Sequence, residues 1–132
     1  MTLRLTEEMF KSGKPIAQGE VVVWMKKYAP KSVLKAIDGH KFSEMKLENG
    51  HMILGHSETG HHHVLEAVRP KTHISKAAQA LIDEVNDAFC EIRMFEECQL
   101  THMRGHDTHE AIIFPAGDYI RFLREEQSPE GS

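Results

Sequence analysis

Histidine is the residue type in this sequence that could support the most chemistry. The chain carries ten histidines among its 132 residues. Imidazole is the commonest metal ligand in proteins, and it is the one side chain whose charge ordinarily changes near neutral pH. This usage therefore indicates metal binding, acid–base chemistry or a response to pH.

Two pairs of histidines have the spacing of metal ligands. His61 and His63 form an H-x-H pair, and alternate side chains of a strand point to one face, so both imidazoles could reach one ion. His106 and His109 form an H-x-x-H pair ahead of a predicted turn, which could bring them to the same point. Because two ligands rarely suffice for a divalent ion, these four histidines together are the predicted metal site, with Zn or Fe as the ion.

The alternative interpretation is that these side chains are solvated, as exposed loop histidines usually are. His102 shares a predicted strand face with Leu100 and Cys98, so it is either a core histidine or a member of the site. The role of His56 is open in the same way. Cys90 and Cys98 have no evident neighbouring base and are expected to pack as small apolar residues. The remaining histidines are expected at the surface: His40, His51, His62 and His73.

Composition and charge narrow the class of protein. The chain is 40% hydrophobic and 27% charged, close to the average for globular domains. Its longest apolar run, Val21–Met25, is far short of the roughly 18 to 20 residues that a membrane span needs. A net charge of −4 disfavours binding to nucleic acid. The sequence thus predicts a soluble protein, and two cysteines without C-x-x-C spacing fit the reducing cytoplasm.

Alternating and β-branched segments predict a mainly β fold. Val21–Trp24 has the composition of a buried strand, and Asp38-Gly39 and Asn49-Gly50 are typical hairpin turns. Pro115-Ala116-Gly117 predicts a turn in a final hairpin whose second arm is 119–123. About eight short strands are expected, which favours a small antiparallel β-barrel or a jelly-roll-like sandwich.

One segment shows helical rather than strand periodicity. Ser75 is a candidate N-cap, and apolar residues follow it at helical spacing. These residues are Ala78, Leu81, Ile82 and Val85. The pattern predicts one outer helix over about 75–87, packed against the β-structure by this face.

The domain organisation predicted from the sequence is simple. Residues 1–18 are polar and broken by glycine and proline, which indicates an N-terminal arm. Residues 19–125 are expected to form a single β-rich domain, since this length suits one hydrophobic core. Residues 126–132 are expected to be a polar tail.

The histidine spacing resembles that of the cupins, small barrels with the motifs G-x5-H-x-H-x3/4-E-x6-G and P-x-G-x2-H. The matching positions are Gly55, His61, His63 and Pro115-Ala116-Gly117. The acidic residue Glu66 comes too early, and alternation puts it on the face opposite His63. Position 120, where the second motif has its histidine, is Ile120. The resemblance therefore implies a cupin-like fold but not the standard four-ligand cupin site.

The chain more closely resembles a group of small uncharacterised proteins of bacteria and their phages. That group has G-[DE]-V-x-[VL], T-G-H-x-H, H-x-x-H, P-x-G-x-Y and P-E-G in this order. The corresponding segments here are Gly19-Glu20-Val21, Thr59-Gly60-His61-His62-His63, His106 to His109, Pro115 to Tyr119 and Pro129-Glu130-Gly131. The resemblance supports the paired-histidine site, supplies no reaction, and allows a virion location if the protein is phage-encoded.

Two hypotheses of function follow. In the first, the protein is a small soluble β-domain that binds a divalent metal through His61, His63, His106 and His109. Four ligands would make the ion structural, whereas three ligands and a water would make it able to activate a nucleophile or bind a substrate. In the alternative, the protein is a non-enzymatic interaction module or virion-associated structural module that forms homo-oligomers or docks to partners.

Overall fold

The computed structural model describes residues 2–56, 61–104 and 108–125, which form two β-sheets. The strands are Thr2–Arg4 (β1), Ile16–Gln18 (β2), Val21–Met25 (β3), Phe42–Glu44 (β4), Met52–Gly55 (β5), His63–Ala67 (β6), Ala78–Asp83 (β7), Phe89–Met94 (β8), Cys98–Arg104 (β9), Thr108–Phe114 (β10) and Gly117–Leu123 (β11). Two short helices lie between them, Lys31–Ala36 (α1) and Ile74–Ala77 (α2). Neither of these helices has the length or apolar character that crossing a bilayer demands.

The sheets are layered as a sandwich and are not closed into a barrel. The five-stranded sheet has the order β1-β10-β9-β6-β5, and the six-stranded sheet has the order β2-β3-β11-β8-β7-β4. Neighbouring strands are antiparallel except β1, which runs parallel to β10. The predicted mainly β fold is therefore confirmed, and of the two predicted architectures the sandwich is the one observed.

The main core lies between the two sheets. In the five-stranded sheet, Leu65, Leu100 and Ile112 are register partners on three adjacent strands, and all three are buried. Alternation along each strand turns these side chains inward together. A second apolar cluster covers the other face of the six-stranded sheet beneath α1. Its buried members are Ile37, Phe89 and Ile120.

The predicted outer helix over 75–87 is wrong. Helix α2 ends at Ala77, and the chain continues as β7, which pairs with β4 and β8. Ala78 and Ala80 are buried, as strand alternation requires, whereas Val85 is 70% exposed. Apolar residues at 78, 80 and 82 suit a strand of period two as well as a helix, and pairing with two neighbouring strands decides between them.

Residues 2–18 belong to the sandwich and do not form the polar arm that the sequence predicts. Strand β1 pairs with β10, and β2 pairs with β3. Phe10 is 1% exposed, and its ring centroid lies 6.3 Å from that of Phe114 and 5.6 Å from that of Tyr119. Leu5 is also buried. These apolar residues are widely spaced among polar ones, so only their long-range contacts reveal that they are core.

The turn at Pro115 joins the two sheets and does not close the predicted final hairpin. Strand β10 lies in the five-stranded sheet and β11 in the six-stranded sheet. Proline has no backbone N–H, so it ends the ladder of β10. The Tyr119 hydroxyl donates to the carbonyl oxygen of Pro115 at 2.5 Å, which fixes the corner. The predicted tail, 126–132, lies outside the described residues.

Asp83 is a buried carboxylate that connects two loops to the end of β7. Its Oδ2 lies 2.6 Å from Nδ1 of His40, and its Oδ1 accepts the backbone N–H of Val85 at 2.8 Å. Burial by itself raises the pKa of Asp83, but the hydrogen bonds from His40 and from the backbone N–H groups of Val85 and Asn86 outweigh it. The pKa of Asp83 is therefore held below its usual value.

An Asp83→Asn variant is expected to be less stable than the wild type, by a margin that disappears in acid. A carboxylate whose pKa is lowered by folding stabilises the fold above its unfolded pKa of about 3.9, and this contribution is lost as pH falls through the folded pKa. Urea unfolding from about pH 7 to pH 2 measures the margin. The control is the Asp38→Asn variant, which changes an exposed aspartate in the same way. A margin that is the same at every pH would contradict the prediction.

Candidate metal centre

Backbone register aligns His63, His102 and position 110 across three strands of the five-stranded sheet. His63 on β6 is the partner of His102 on β9, and His102 is the partner of Glu110 on β10. His109 is instead the partner of Met103. The position beside His102 therefore belongs to Glu110 and not to the predicted ligand His109.

The imidazoles of His63 and His102 stack on one another. Their ring centroids are 4.0 Å apart, the ring planes differ by 12°, and His63 is 1% exposed. Two imidazolium cations at this distance would repel strongly inside the protein, so the stack favours at least one neutral ring. A neutral ring is the form in which histidine ligates metals. His102, whose role the sequence leaves open, thus lies against a predicted ligand.

Gln18, at the end of β2, holds one side of the His63 ring. Its amide Nε2 donates to the carbonyl oxygen of Leu100 at 3.2 Å, and its Oε1 lies 2.7 Å from Nδ1 of His63. Gln18 is buried as well. Because the Leu100 carbonyl can only accept a hydrogen bond, the amide nitrogen must face it and the amide oxygen must face His63. Nδ1 of His63 therefore carries a hydrogen that it donates to Gln18.

Glu20 faces the other nitrogen of the same ring. Its Oε2 lies 3.2 Å from Nε2 of His63, and its Oε1 is buried with no hydrogen-bond partner among the described residues. With the hydrogen on Nδ1, a neutral His63 presents a lone pair to a carboxylate. Two acceptors in contact need a proton or a metal cation between them.

The separation of these two atoms suits ligands of one ion. Charge-assisted N–H···O bonds are usually about 2.7 to 2.9 Å long, shorter than the 3.2 Å between Nε2 of His63 and Oε2 of Glu20. Two ligands bound at about 2.0 to 2.1 Å, at right or tetrahedral angles, are about 2.9 to 3.4 Å apart. The donor types, imidazole and carboxylate, are those that Zn and Fe bind.

Gly55 lets the backbone of β5 approach this pair closely. A Cβ atom at position 55 would lie 2.7 Å from Cγ2 of Val21, 3.0 Å from Oε1 of Glu20 and 3.2 Å from Cδ2 of His63. Real Cβ atoms essentially never make a contact as short as the one with Val21, and the contacts with Glu20 and His63 would be unusually tight. Glycine is therefore the residue that fits between Val21 and the Glu20–His63 pair.

The predicted convergence of four histidines stays a prediction. His61 is partly buried and lies before β6, which begins at His63. Strand alternation therefore does not require the side chains of His61 and His63 to point to the same face. His106 lies outside the described residues, and only the backbone of His109 is described. Among the described side chains, no three from histidine, cysteine, aspartate or glutamate form a group ready to hold an ion.

His56, the other histidine left open by the sequence, lies at the surface. Its Nε2 is 2.6 Å from Oε2 of Glu48, and the two side chains are 58% and 53% exposed. Its ring contacts His62 edge-on. An exposed contact of this kind contributes little to stability.

The cysteines do not provide thiolate ligands or nucleophiles at neutral pH. Burial raises the pKa of Cys90 to about 11 and that of Cys98 to about 12. Only the thiolate ligates metals or attacks electrophiles. Both residues are fully buried, so they pack as small apolar side chains, as the sequence indicates.

Sequence reasoning did not find Gln18 or Glu20. Gln18 ends β2 and Glu20 lies in the turn between β2 and β3, on the sheet opposite His63. No local periodicity links them to a histidine more than 40 positions away. The shared face of His102, Leu100 and Cys98 was the one local signal that pointed to His102.

These features define a β-sandwich in which a buried histidine contacts a half-buried glutamate between the sheets. Residues 17–123 match the model of a family described as Domain of unknown function (DUF8820), and the chain belongs to this family. The matched range includes Gln18, Glu20, His63 and His102. No curated protein and no solved structure matches the chain.

Proposed function

We propose that the protein binds a divalent metal ion, Zn or Fe(II), between Nε2 of His63 and the carboxylate of Glu20. The observation that carries this proposal is the 3.2 Å contact between Nε2 of His63 and Oε2 of Glu20, together with the other oxygen of Glu20, which is buried without a hydrogen-bond partner among the described residues. A cation at this position would be bound by the carboxylate of Glu20 and would satisfy its buried oxygen Oε1. Imidazole and carboxylate together suit both ions.

A third ligand is needed, because two protein ligands rarely hold a divalent ion. His102 is the nearest candidate, since its ring already stacks on His63. To ligate the ion, the His102 ring would have to turn out of this stack. The other predicted ligands, His61, His106 and His109, are candidates for a further position.

The number of protein ligands decides what the ion would do. Three protein ligands leave one position for water or for an oxygen-bearing substrate, and the ion then lowers the pKa of that water. Four protein ligands close the coordination sphere and make the ion structural. The composition Glu20, His63 and His102 gives two imidazoles and one carboxylate, which is a set that open catalytic sites use.

Zinc at about 100 times its Kd is expected to raise the free energy of unfolding of the wild type by about 2.7 kcal/mol. Glu20→Gln and His63→Gln variants are expected to gain almost nothing, because each removes a ligand. The control is His73→Gln, which removes an exposed histidine and should keep the full gain. Urea unfolding with and without zinc measures the gain, and elemental analysis of untagged protein identifies the metal.

Two results would count against the proposal. If His63→Gln and the wild type gain equally from zinc, the ion binds elsewhere. If neither gains and no metal co-purifies, the metal site is absent. The second result would favour the alternative function, a non-enzymatic interaction module or virion-associated module that self-assembles.

A further inference from the structure

We infer that Gln18 is a positioning residue, which selects the tautomer of His63 and so leaves Nε2 as the nitrogen that binds metal. The part that concerns metal rests on the proposed function. The part that concerns the tautomer depends only on the hydrogen bonds of Gln18 with Leu100 and His63.

The fixed element is the carbonyl oxygen of Leu100, on β9. Leu100 is a backbone partner of Leu65 and Ile112 in the middle of the five-stranded sheet, so its carbonyl cannot turn away. Gln18 reaches it across the sandwich from the opposite sheet, with Nε2 at 3.2 Å. This contact sets the direction of the amide, because only the NH₂ end of Gln18 can donate.

The direction of the amide then sets the proton on His63. With Nε2 of Gln18 on Leu100, Oε1 is the atom 2.7 Å from Nδ1 of His63, and an amide oxygen can only accept. The hydrogen must therefore lie on Nδ1. The other tautomer would need the amide reversed, which would bring two carbonyl oxygens together in a buried place, at the cost of unpaired polar atoms.

Glu20 favours the opposite tautomer, which makes the contribution of Gln18 measurable. A hydrogen on Nε2 of His63 would be donated to Oε2 of Glu20, 3.2 Å away. The structure thus places two acceptors on the two nitrogens of one ring. The shorter contact, reinforced by Leu100, is the one with Gln18. Nε2 keeps its lone pair and faces the carboxylate, as a ligating histidine does when its other nitrogen donates to a carbonyl.

The test is ¹⁵N NMR of the metal-free protein, labelled at histidine, at a pH of about 8.5 where imidazole is ordinarily neutral. The wild type is expected to show His63 with its hydrogen on Nδ1. In Gln18→Leu, which cannot accept a hydrogen bond, the hydrogen is expected to move to Nε2, facing Glu20. His73, exposed and remote from Gln18 in sequence, serves as the internal control.

Two outcomes would overturn the inference: a wild type with the hydrogen on Nε2, or a Gln18→Leu variant that keeps it on Nδ1. The wild-type spectrum decides the first point even if Gln18→Leu does not fold. Zinc titration then tests the metal part. Gln18→Leu is expected to bind zinc about 10- to 100-fold more weakly than the wild type. If the hydrogen lies on Nδ1 but the protein does not bind zinc, the inference about the tautomer still holds and only the proposed function is contradicted.

Discussion

Replacing Phe10 with alanine is expected to lower the free energy of unfolding by about 3 to 5 kcal/mol. Phe10 is 1% exposed, and its ring packs against the rings of Phe114 and Tyr119. Truncation removes buried apolar surface and leaves a cavity, because the neighbouring strands are held by their own ladders. Urea unfolding of the wild type and the variant under identical conditions measures the loss.

The control lies one residue earlier in the chain. Met9 is 48% exposed, and Met9→Ala is expected to cost about 0.5 kcal/mol or less. Both substitutions remove a large apolar side chain from the same turn of the segment, so the difference between them reports burial alone. A similarly small loss in both variants would mean that residues 2–18 are the loosely attached arm that the sequence predicts.

The sequence predicts an element correctly where the hydrophobic pattern of the segment fits only one type of secondary structure. Val21–Met25 is β-branched and continuous, and it forms the buried strand β3. The segment 78–83 has apolar residues that suit either a helix or a strand, and only its pairing with β4 and β8 makes it a strand. Phe10 shows no periodicity at all. Its burial depends on contacts about 100 positions away, which no local pattern contains.

The candidate site shows the same division between local and long-range information. His63 was found because H-x-H is a local signal, and His102 was partly indicated by the shared strand face. Gln18 and Glu20 flank Gly19, whose φ of 58° is a left-handed value that glycine readily adopts. This turn carries both side chains from the six-stranded sheet to a histidine on the five-stranded sheet. The pairing is a property of the sandwich and not of any segment.

Replacing Gly55 with alanine is expected both to weaken the fold and to prevent binding at the proposed metal centre. The added Cβ would lie 2.7 Å from Cγ2 of Val21, a β-branched side chain buried in the core, and 3.0 Å from Oε1 of Glu20. Crowding of this kind costs about 1 to 3 kcal/mol. Displacement of Glu20 should also remove the gain of about 2.7 kcal/mol from zinc. In zinc, the variant is therefore expected to be about 4 to 6 kcal/mol less stable than the wild type.

Gly50→Ala separates crowding from backbone strain. Gly50 has a φ of 80°, and a Cβ there would meet nothing within 4 Å. The variant should lose about 1 to 2 kcal/mol, because an L-residue is strained in the left-handed region, but it should keep the full gain from zinc. Urea unfolding of both variants with and without zinc gives the comparison. If Gly55→Ala gains as much from zinc as Gly50→Ala does, the ion is not held by Glu20 and His63, the pair that a Cβ at position 55 would crowd.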